Sequence, residues 1–238
     1  MQLNLKERDG DVLGNINNWQ FDESGLLHRV YDSETIKLQT LSAVFILPKT
    51  AGILKIRLHK GDGIMAVYIR QENEKDYLNT EKLIQRAFAN VAISDKTEHK
   101  LVARLRGSKS FVPELSLVAF DDVSGEIVGH VLMTKANIQS AETLTLAPVS
   151  VLPEYQNKGI GTRLINEALE RARHSDFSSV IVLGHPRYYS GFGFEKASKW
   201  GIKAPWDVPD EVFMAMELNR GSLENKSETV VYPKEFNE

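Results

Sequence analysis

The sequence predicts a mixed α/β fold, because runs typical of buried strands alternate with amphipathic helices. The clearest strand lies at residues 144–152, where the sequence LTLAPVSVL is apolar and β-branched and is ended by Pro153. A helix follows to about His174, since apolar residues recur there at spacings of three and four: Ile160, Leu164, Ile165, Ala168, Leu169 and Ala172. A third observation is the short apolar run VIVL at residues 180–183.

The first 63 residues are predicted to form an N-terminal extension, a β-hairpin that precedes the main domain. Residues 36–47 and 53–59 read as strands around a turn at 48–52. The glycines at Gly61 and Gly63 then predict a break, so the main domain is assigned to residues 64–238. Two interpretations stay open: a lineage-specific extension, or an upstream start with Met65 as the true first residue.

The main domain begins with a predicted strand at residues 66–70 and two helices. The first helix covers residues 83–91, and Asp95 and Glu98 have the spacing of a capping box that opens the second. Strands at 115–120 and 126–135 surround a hairpin turn, and a last strand is predicted at 212–218. This order of elements is that of one α/β domain.

Composition limits the classes of protein that fit. A chain of 238 residues with 42% hydrophobic content can bury a sizeable core, and its net charge of −3 gives no basic field for nucleic acid. Zero cysteines exclude disulfides, thiolate metal ligands and a cysteine nucleophile. No apolar run reaches the ~20 residues of a membrane span, and the N-terminus lacks a signal-peptide core, so we expect a cytoplasmic protein without a bound metal.

The turn at residues 156–162, with the sequence QNKGIGT, is the strongest functional signal. Gly159 and Gly161 allow close approach of a ligand, and the first turn of the helix offers unpaired N–H groups to an anion. A tight turn without a ligand is the alternative. A nucleotide P-loop fits less well, because Lys158 precedes the glycines, and a dinucleotide fingerprint would need a third glycine.

Residues 149–164, VSVLPEYQNKGIGTRL, resemble the acetyl-CoA motif of the GCN5-related N-acetyltransferases (GNAT), whose signature is Gln/Arg-x-x-Gly-x-Gly/Ala. Residues 188–194, YYSGFGF, resemble the Tyr-x-x-x-Gly-Phe segment of the same superfamily. Further stretches at 97–102, 113–119, 183–186 and 208–214 resemble one branch, the bacterial N-acetyltransferases of the YhbS type. The resemblance implies a splayed mixed sheet with the cofactor in its opening.

The resemblance also implies the residues of the site. Those implied to bind acetyl-CoA are Val149, Ser150, Val151, Gln156, Asn157, Lys158, Gly159, Ile160, Gly161 and Thr162. Val149 and Val151 would use backbone groups to hold the pantetheine arm, and the turn would hold the diphosphate. Tyr189 occupies the general-acid position, with aromatic packing as its alternative role, and Tyr188 is a neighbour with the same group.

The expected reaction is transfer of the acetyl group of acetyl-CoA to a primary amine of a small molecule or peptide by direct attack. An amine with a pKa near 10.4 is about one part in 10³ neutral at pH 7, so a base or water chain is needed. Glu142, Glu98 and His99 are candidates for that base. His185 stands where family members often carry an Asn that contacts the cofactor, and it is either a substitute for that Asn or a turn residue. The alternative function is a non-catalytic acyl-CoA-binding or regulatory module. The expected partners are acetyl-CoA and an amine acceptor, with a homodimer left open.

Overall fold

The structure is a computed structural model that describes residues 19–21, 27–29, 54–60, 63–92 and 94–237. The chain divides into two compact units, Met1–Ala43 and Val44–Glu238. In the first unit, strands β1 (Trp19–Phe21) and β2 (Leu27–Arg29) pair in antiparallel fashion. The strand predicted at 36–47 lies outside the described residues.

One sheet organises the second unit, and in the described residues it has nine strands. They are β3 (Leu54–Lys60), β4 (Gly63–Gln71), β5 (Phe111–Asp121), β6 (Glu126–Ile138), β7 (Ala141–Val151), β8 (Ser179–Leu183), β9 (Glu195–Lys196), β10 (Phe213–Glu217) and β11 (Val230–Val231). The order across the sheet is β3-β4-β5-β6-β7-β8-β10-β9, and β11 pairs with β6. Neighbours are antiparallel except β7 and β8, which run parallel. The predicted mixed α/β fold is confirmed.

The sheet continues across the predicted boundary at residue 64. Strand β3 pairs with β4 along its whole length, from Leu54 opposite Ile69 to Lys60 opposite Gly63. Such pairing places the end of the predicted extension at the edge of the main sheet. The division of the chain at residue 64 stays a prediction.

Four α-helices occur in the described residues: α1 (Tyr77–Phe88), α2 (Glu98–Arg106), α3 (Ile160–Arg173) and α4 (Pro186–Tyr189). The apolar stripe predicted for α3 is buried at every position, so that part of the sequence analysis is confirmed. The capping box predicted at Asp95 is wrong. Helix α2 begins at Glu98, and Asp95 instead accepts hydrogen bonds from the backbone and hydroxyl of Thr97, two residues along, at 2.8 Å each.

Helix α3 packs on one face of the sheet, and α1 and α2 are associated with the other. A Cβ on Gly129 of β6 would approach Leu164 of α3 to 2.9 Å, so Gly129 faces α3. Its neighbour His130 points to the opposite face, because successive side chains of a strand alternate. There it lies beside a charged group that includes Arg106 of α2.

His130 belongs to a buried polar network beneath α1 and α2. Arg106 pairs with Glu72 at 2.7 Å and with Glu81 at 2.8 Å. The Ser116 hydroxyl donates to Glu72 at 2.7 Å and lies 3.2 Å from His130 Nε2. Complete burial lowers the pKa of His130 to about 4, with Glu72 acting in the opposite direction and Arg106 adding to the fall. His130 is therefore neutral at pH 7.

We expect the His130 network to make the protein sensitive to acid. Unfolded histidine binds a proton near pH 6.5, whereas His130 in the folded chain does so only near pH 4, so stability is lost as pH falls between these values. The loss should approach about 3 kcal/mol. Denaturant unfolding between pH 7 and pH 4 measures it. In His130→Gln this part of the pH dependence should disappear, whereas the exposed His174→Gln should keep the wild-type slope; equal slopes in all three proteins would contradict the assignment.

Candidate functional site

The candidate site is a notch between the parallel strands β7 and β8. These strands pair only at Leu144 with Val180 and at Thr145 with Ile181. Beyond that point, the edge of β7 that faces β8 has no strand partner among the described residues. A register shift lies at the same place, because Ala147 and Pro148 together oppose one residue of β6. Such a bulge bends its strand, which separates β7 from β8.

The backbone groups of Val149 and Val151 face this notch. The Leu152 N–H donates to the Val128 carbonyl of β6 at 3.0 Å, so alternate residues of β7 bond to β6 and those between point away from it. The Gln156 side chain donates to the Val151 carbonyl at 3.1 Å, which agrees with that direction. Two residues of β7 therefore present hydrogen-bonding groups to a ligand that enters the notch.

Ser150 differs from its two neighbours. It pairs with His130 across the β6 ladder, and its side chain is buried on the α1 and α2 face of the sheet. Its hydroxyl oxygen has no hydrogen-bond partner among the described residues. The structure directs neither its backbone nor its side chain into the notch, so its role in cofactor binding stays a prediction.

The glycine turn joins the end of β7 to α3. Asn157 and Gly159 both adopt the left-handed conformation, with φ of 58° and 75°. Gly159 is the residue before the helix, and its carbonyl accepts the first helical hydrogen bond, from Arg163 at 3.1 Å. The N–H groups of Ile160, Gly161 and Thr162 precede that bond and have no partner within the helix. Such free N–H groups at a helix start can bind an anion, and here they lie at the mouth of the notch.

Lys158 is placed differently from the phosphate ligand that its position in the motif suggests. Its ammonium donates to the Glu154 carbonyl at 2.7 Å and lies 5.0 Å from the centre of the Tyr155 ring. Helix termini bind anions through backbone groups as well as through charge. The role of Lys158 as a phosphate ligand stays a prediction, and the ammonium adds positive charge near the start of α3.

Tyr189 lies on α4, directly after the C-terminal end of β8. Its ring packs over Gly184, where a Cβ would approach Tyr189 Cε2 to 2.2 Å, and edge-on against Phe194 at 5.7 Å between centroids. Burial raises the pKa of Tyr189 well above its ordinary value, and the neighbouring Tyr188 adds to the rise. The phenol therefore stays protonated at pH 7, as a hydrogen-bond or proton donor must.

Tyr188 points in another direction. Its side chain is 40% exposed, and its hydroxyl lies near the Thr162 side chain in the first turn of α3. A Cβ on Gly161 would lie 2.9 Å from that hydroxyl. Burial raises the pKa of Tyr188, and the nearby Thr162 side chain acts against that rise. Sequence reasoning assigned neither contact, because no local pattern relates residues on two separate helices.

The candidates for the base lie apart from one another. The Glu142 carboxylate is 57% exposed, beside Lys135, near the start of β7, roughly 23 Å along the strand from Val149. Glu98 and His99 occupy the first turn of α2, and each has one buried side-chain atom without a hydrogen-bond partner among the described residues. His185 is exposed, and its carbonyl accepts the first hydrogen bonds of α4. Only the His185 backbone contacts Tyr189, and among the described residues no hydrogen bond links the side chain of any of these four residues to the Tyr189 hydroxyl.

Tyr232 is a residue of the notch that sequence reasoning missed. Its hydroxyl lies near Thr145, which belongs to the last residue pair before β7 and β8 separate. Burial raises its pKa to about 12. The Tyr232 ring packs between Trp206 and Phe236, with centroid distances of 4.7 and 5.0 Å. The C-terminal segment thus supplies an aromatic wall near the base of the notch.

None of the helices in the described part of the chain is long and apolar enough to cross a membrane. Within the same residues, no group of three or more His, Asp or Glu side chains is arranged to hold a metal ion.

The structure has a mixed sheet that opens between two parallel strands and a glycine turn at the start of the next helix, which is the arrangement implied by the resemblance to the GNAT superfamily. The chain belongs to the GNAT family: the model described as "Acetyltransferase (GNAT) family" matches residues 80–194. Within that family it is YhbS-like. YhbS of Escherichia coli K12, an uncharacterized N-acetyltransferase, is 30% identical over 171 residues, which cover 71% of this chain and 98% of YhbS.

A second relative and two solved structures agree with this family membership. YjhQ of E. coli K12, also an uncharacterized N-acetyltransferase, is 42% identical over 119 residues, which cover 48% of this chain and 65% of YjhQ. The crystal structure of E. coli YhbS in complex with CoA has a TM-score of 0.67 and 28% identity, covering 76% of this chain and 97% of that one. A GNAT acetyltransferase from Brucella melitensis in complex with acetyl-CoA has a TM-score of 0.60 and 30% identity, covering 71% and 97%.

Proposed function

We propose that this protein transfers the acetyl group of acetyl-CoA to a primary amine of a small molecule or peptide. The observation that carries the proposal is the unpaired edge of β7, which leads directly to the free N–H groups of α3. Acetyl-CoA has an extended, amide-containing pantetheine arm followed by a diphosphate. The arm matches the edge of β7, and the diphosphate matches the N–H groups at the start of α3. The CoA and acetyl-CoA complexes of the two similar structures support the same ligand.

The backbone of β7 and the first turn of α3 bind different parts of acetyl-CoA. The outward N–H and C=O groups of Val149 and Val151 hold the amides of the pantetheine arm. The turn at residues 156–159 and the first turn of α3 hold the diphosphate through N–H groups and the helix dipole. Gln156, which donates to the Val151 carbonyl, joins these two parts of the site. Such binding fixes the thioester within the notch, near the C-terminal end of β8.

Tyr189 completes the chemistry. In direct attack the amine nitrogen forms a bond to the acetyl carbon, the carbon–sulfur bond breaks, and the sulfur leaves with the electron pair. Tyr189 donates its hydroxyl proton toward that sulfur, whose thiol has an ordinary pKa near 8.5. The proton lost by the amine passes to a base or to water. Because water is excluded around the Tyr189 ring, the hydrogen bond from its hydroxyl to the negative charge that develops on the sulfur is stronger than it would be in water.

Two further assignments rest on the same proposal. We place the protein in the cytoplasm, where acetyl-CoA is available, and we keep residues 64–238 as the catalytic domain. The acceptor approaches the thioester within the notch, whose base lies near Thr145 and the Tyr232 wall.

A panel of primary amines tests the proposal. The purified full chain is incubated with acetyl-CoA and each amine, and free CoA thiol is measured against a reaction without amine. Amine-dependent thiol release, with acetylated amine found by mass spectrometry, supports the enzyme. Acetyl-CoA binding by calorimetry without turnover on any amine favours the acyl-CoA-binding module, and absence of binding contradicts both.

A further inference from the structure

Tyr188 lies on the β8 side of the notch and contacts the first turn of α3 on the β7 side. It lies on α4, beyond β8, whereas the glycine turn and α3 lie beyond β7. Its hydroxyl nevertheless rests against Gly161 and lies near the side chain of Thr162. The phenol therefore reaches across the mouth of the notch to the first turn of α3.

The position of the hydroxyl coincides with the anion-binding end of the helix. Gly161 and Thr162 are two of the residues whose N–H groups have no partner within α3. An anion bound to those N–H groups lies beside the Tyr188 oxygen, because that oxygen lies 2.9 Å from where a Gly161 Cβ would be. A phenolic O–H is a donor of the kind that a phosphate oxygen accepts, and such charge-assisted bonds are among the stronger ones.

The packing of Tyr188 allows this contact. Its ring is held edge-on by Phe192 and by Tyr189, with centroid distances of 5.2 Å in both cases. Its side chain is still 40% exposed, so the hydroxyl is open to a ligand. Thr162 is exposed as well. Aromatic packing fixes the ring, and the Thr162 side chain lies near its oxygen.

We propose that Tyr188 is a diphosphate-binding residue, whose hydroxyl donates to a phosphate oxygen of the CoA moiety held on the first turn of α3. This inference rests on the proposed function, since it takes acetyl-CoA as the ligand. The adjacent tyrosines then have different roles, because Tyr188 binds the diphosphate whereas Tyr189 donates a proton toward the leaving sulfur. The acetyl-CoA motif at residues 149–164 does not contain Tyr188, because α4 brings it to the site from another part of the chain.

A comparison of two ligands isolates this contact. CoA carries the diphosphate, whereas pantetheine keeps the arm and thiol and lacks it. Calorimetry of the full-length protein, with pantetheine also measured by competition against CoA, gives both dissociation constants without any need for an acceptor. In Tyr188→Phe we expect the Kd for CoA to rise about 10- to 100-fold, the range for losing one hydrogen bond to a charged group. The Kd for pantetheine should stay at its wild-type value.

Two further variants sharpen the test. Thr162→Val should raise the Kd for CoA by a smaller factor, and adding it to Tyr188→Phe should produce little further loss, because both changes act on one hydroxyl. Tyr68→Phe, on β4 against Phe120, should leave both dissociation constants unchanged. Unchanged melting temperatures show that the aromatic packing has survived.

The outcomes separate this inference from the proposed function. Wild-type CoA affinity in Tyr188→Phe overturns the inference, and equal losses for CoA and pantetheine overturn it as well, because they indicate packing rather than a phosphate contact. A wild-type protein that binds neither ligand overturns the proposed function itself.

Discussion

Tyr189→Phe is expected to lower turnover by about 10² to 10⁴, the range for loss of a general acid, while the affinity for acetyl-CoA changes little. The substitution removes only the hydroxyl. The ring contacts with Gly184 and Phe194 remain, so packing should survive. Steady-state rates on an amine identified by the panel, at saturating acetyl-CoA, measure the effect.

The raised pKa of Tyr189 predicts how this loss depends on pH. A tyrosine whose pKa lies above the ordinary value of 10.0 keeps its proton to correspondingly higher pH. The wild-type rate should therefore show no fall from deprotonation of this group below about pH 10. The ratio of wild-type to variant rates is measured from neutral to alkaline pH.

Tyr188→Phe is the matched control for Tyr189→Phe. At saturating acetyl-CoA its turnover should change much less, because its hydroxyl contacts the first turn of α3 rather than the end of β8. Wild-type turnover in Tyr189→Phe would remove that residue from the mechanism. Equal losses in both variants would indicate a packing effect rather than acid catalysis.

Gly159→Asp is expected to weaken acetyl-CoA binding by about 5- to 1000-fold. A carboxylate near the diphosphate repels it by about 1 to 4 kcal/mol at 4 Å, depending on how much water screens the pair. A Cβ on Gly159 meets no atom within 4 Å, so the added side chain has space. Calorimetry with acetyl-CoA measures the change.

Gly159→Asn separates charge from backbone strain. Gly159 has a φ of 75°, and Asn and Asp both tolerate this left-handed conformation better than other side chains do. The two variants therefore share the strain and differ in charge, so Asn should bind acetyl-CoA much more tightly than Asp. Gly161→Asp should weaken binding as well, but its Cβ would also press on the Tyr188 hydroxyl. Equal affinities for Asp and Asn at position 159 would contradict a diphosphate at this turn.

Local sequence patterns predicted the elements that hold the site. The apolar stripe from Ile160 to Ala172 predicted α3, because the buried residues of an amphipathic helix recur at spacings of three and four. Gly159 predicted the turn for a similar reason, since its left-handed φ is a property of one residue. At Asp95 the same kind of local pattern predicted a capping box that the structure does not have. The Asp95 side chain can bond a backbone two residues on as readily as it can cap a helix.

The sequence by itself determined the family, the fold class and the order of the elements, because each of these follows from short-range periodicity and from motifs within a few residues. Only the tertiary structure decided that β7 and β8 separate after Thr145, that Tyr232 reaches that point, and that Tyr188 faces Thr162 while Tyr189 packs over Gly184. Adjacent tyrosines carry the same chemistry in a sequence. Their directions are set by contacts with residues distant along the chain, and such contacts leave no local pattern to read.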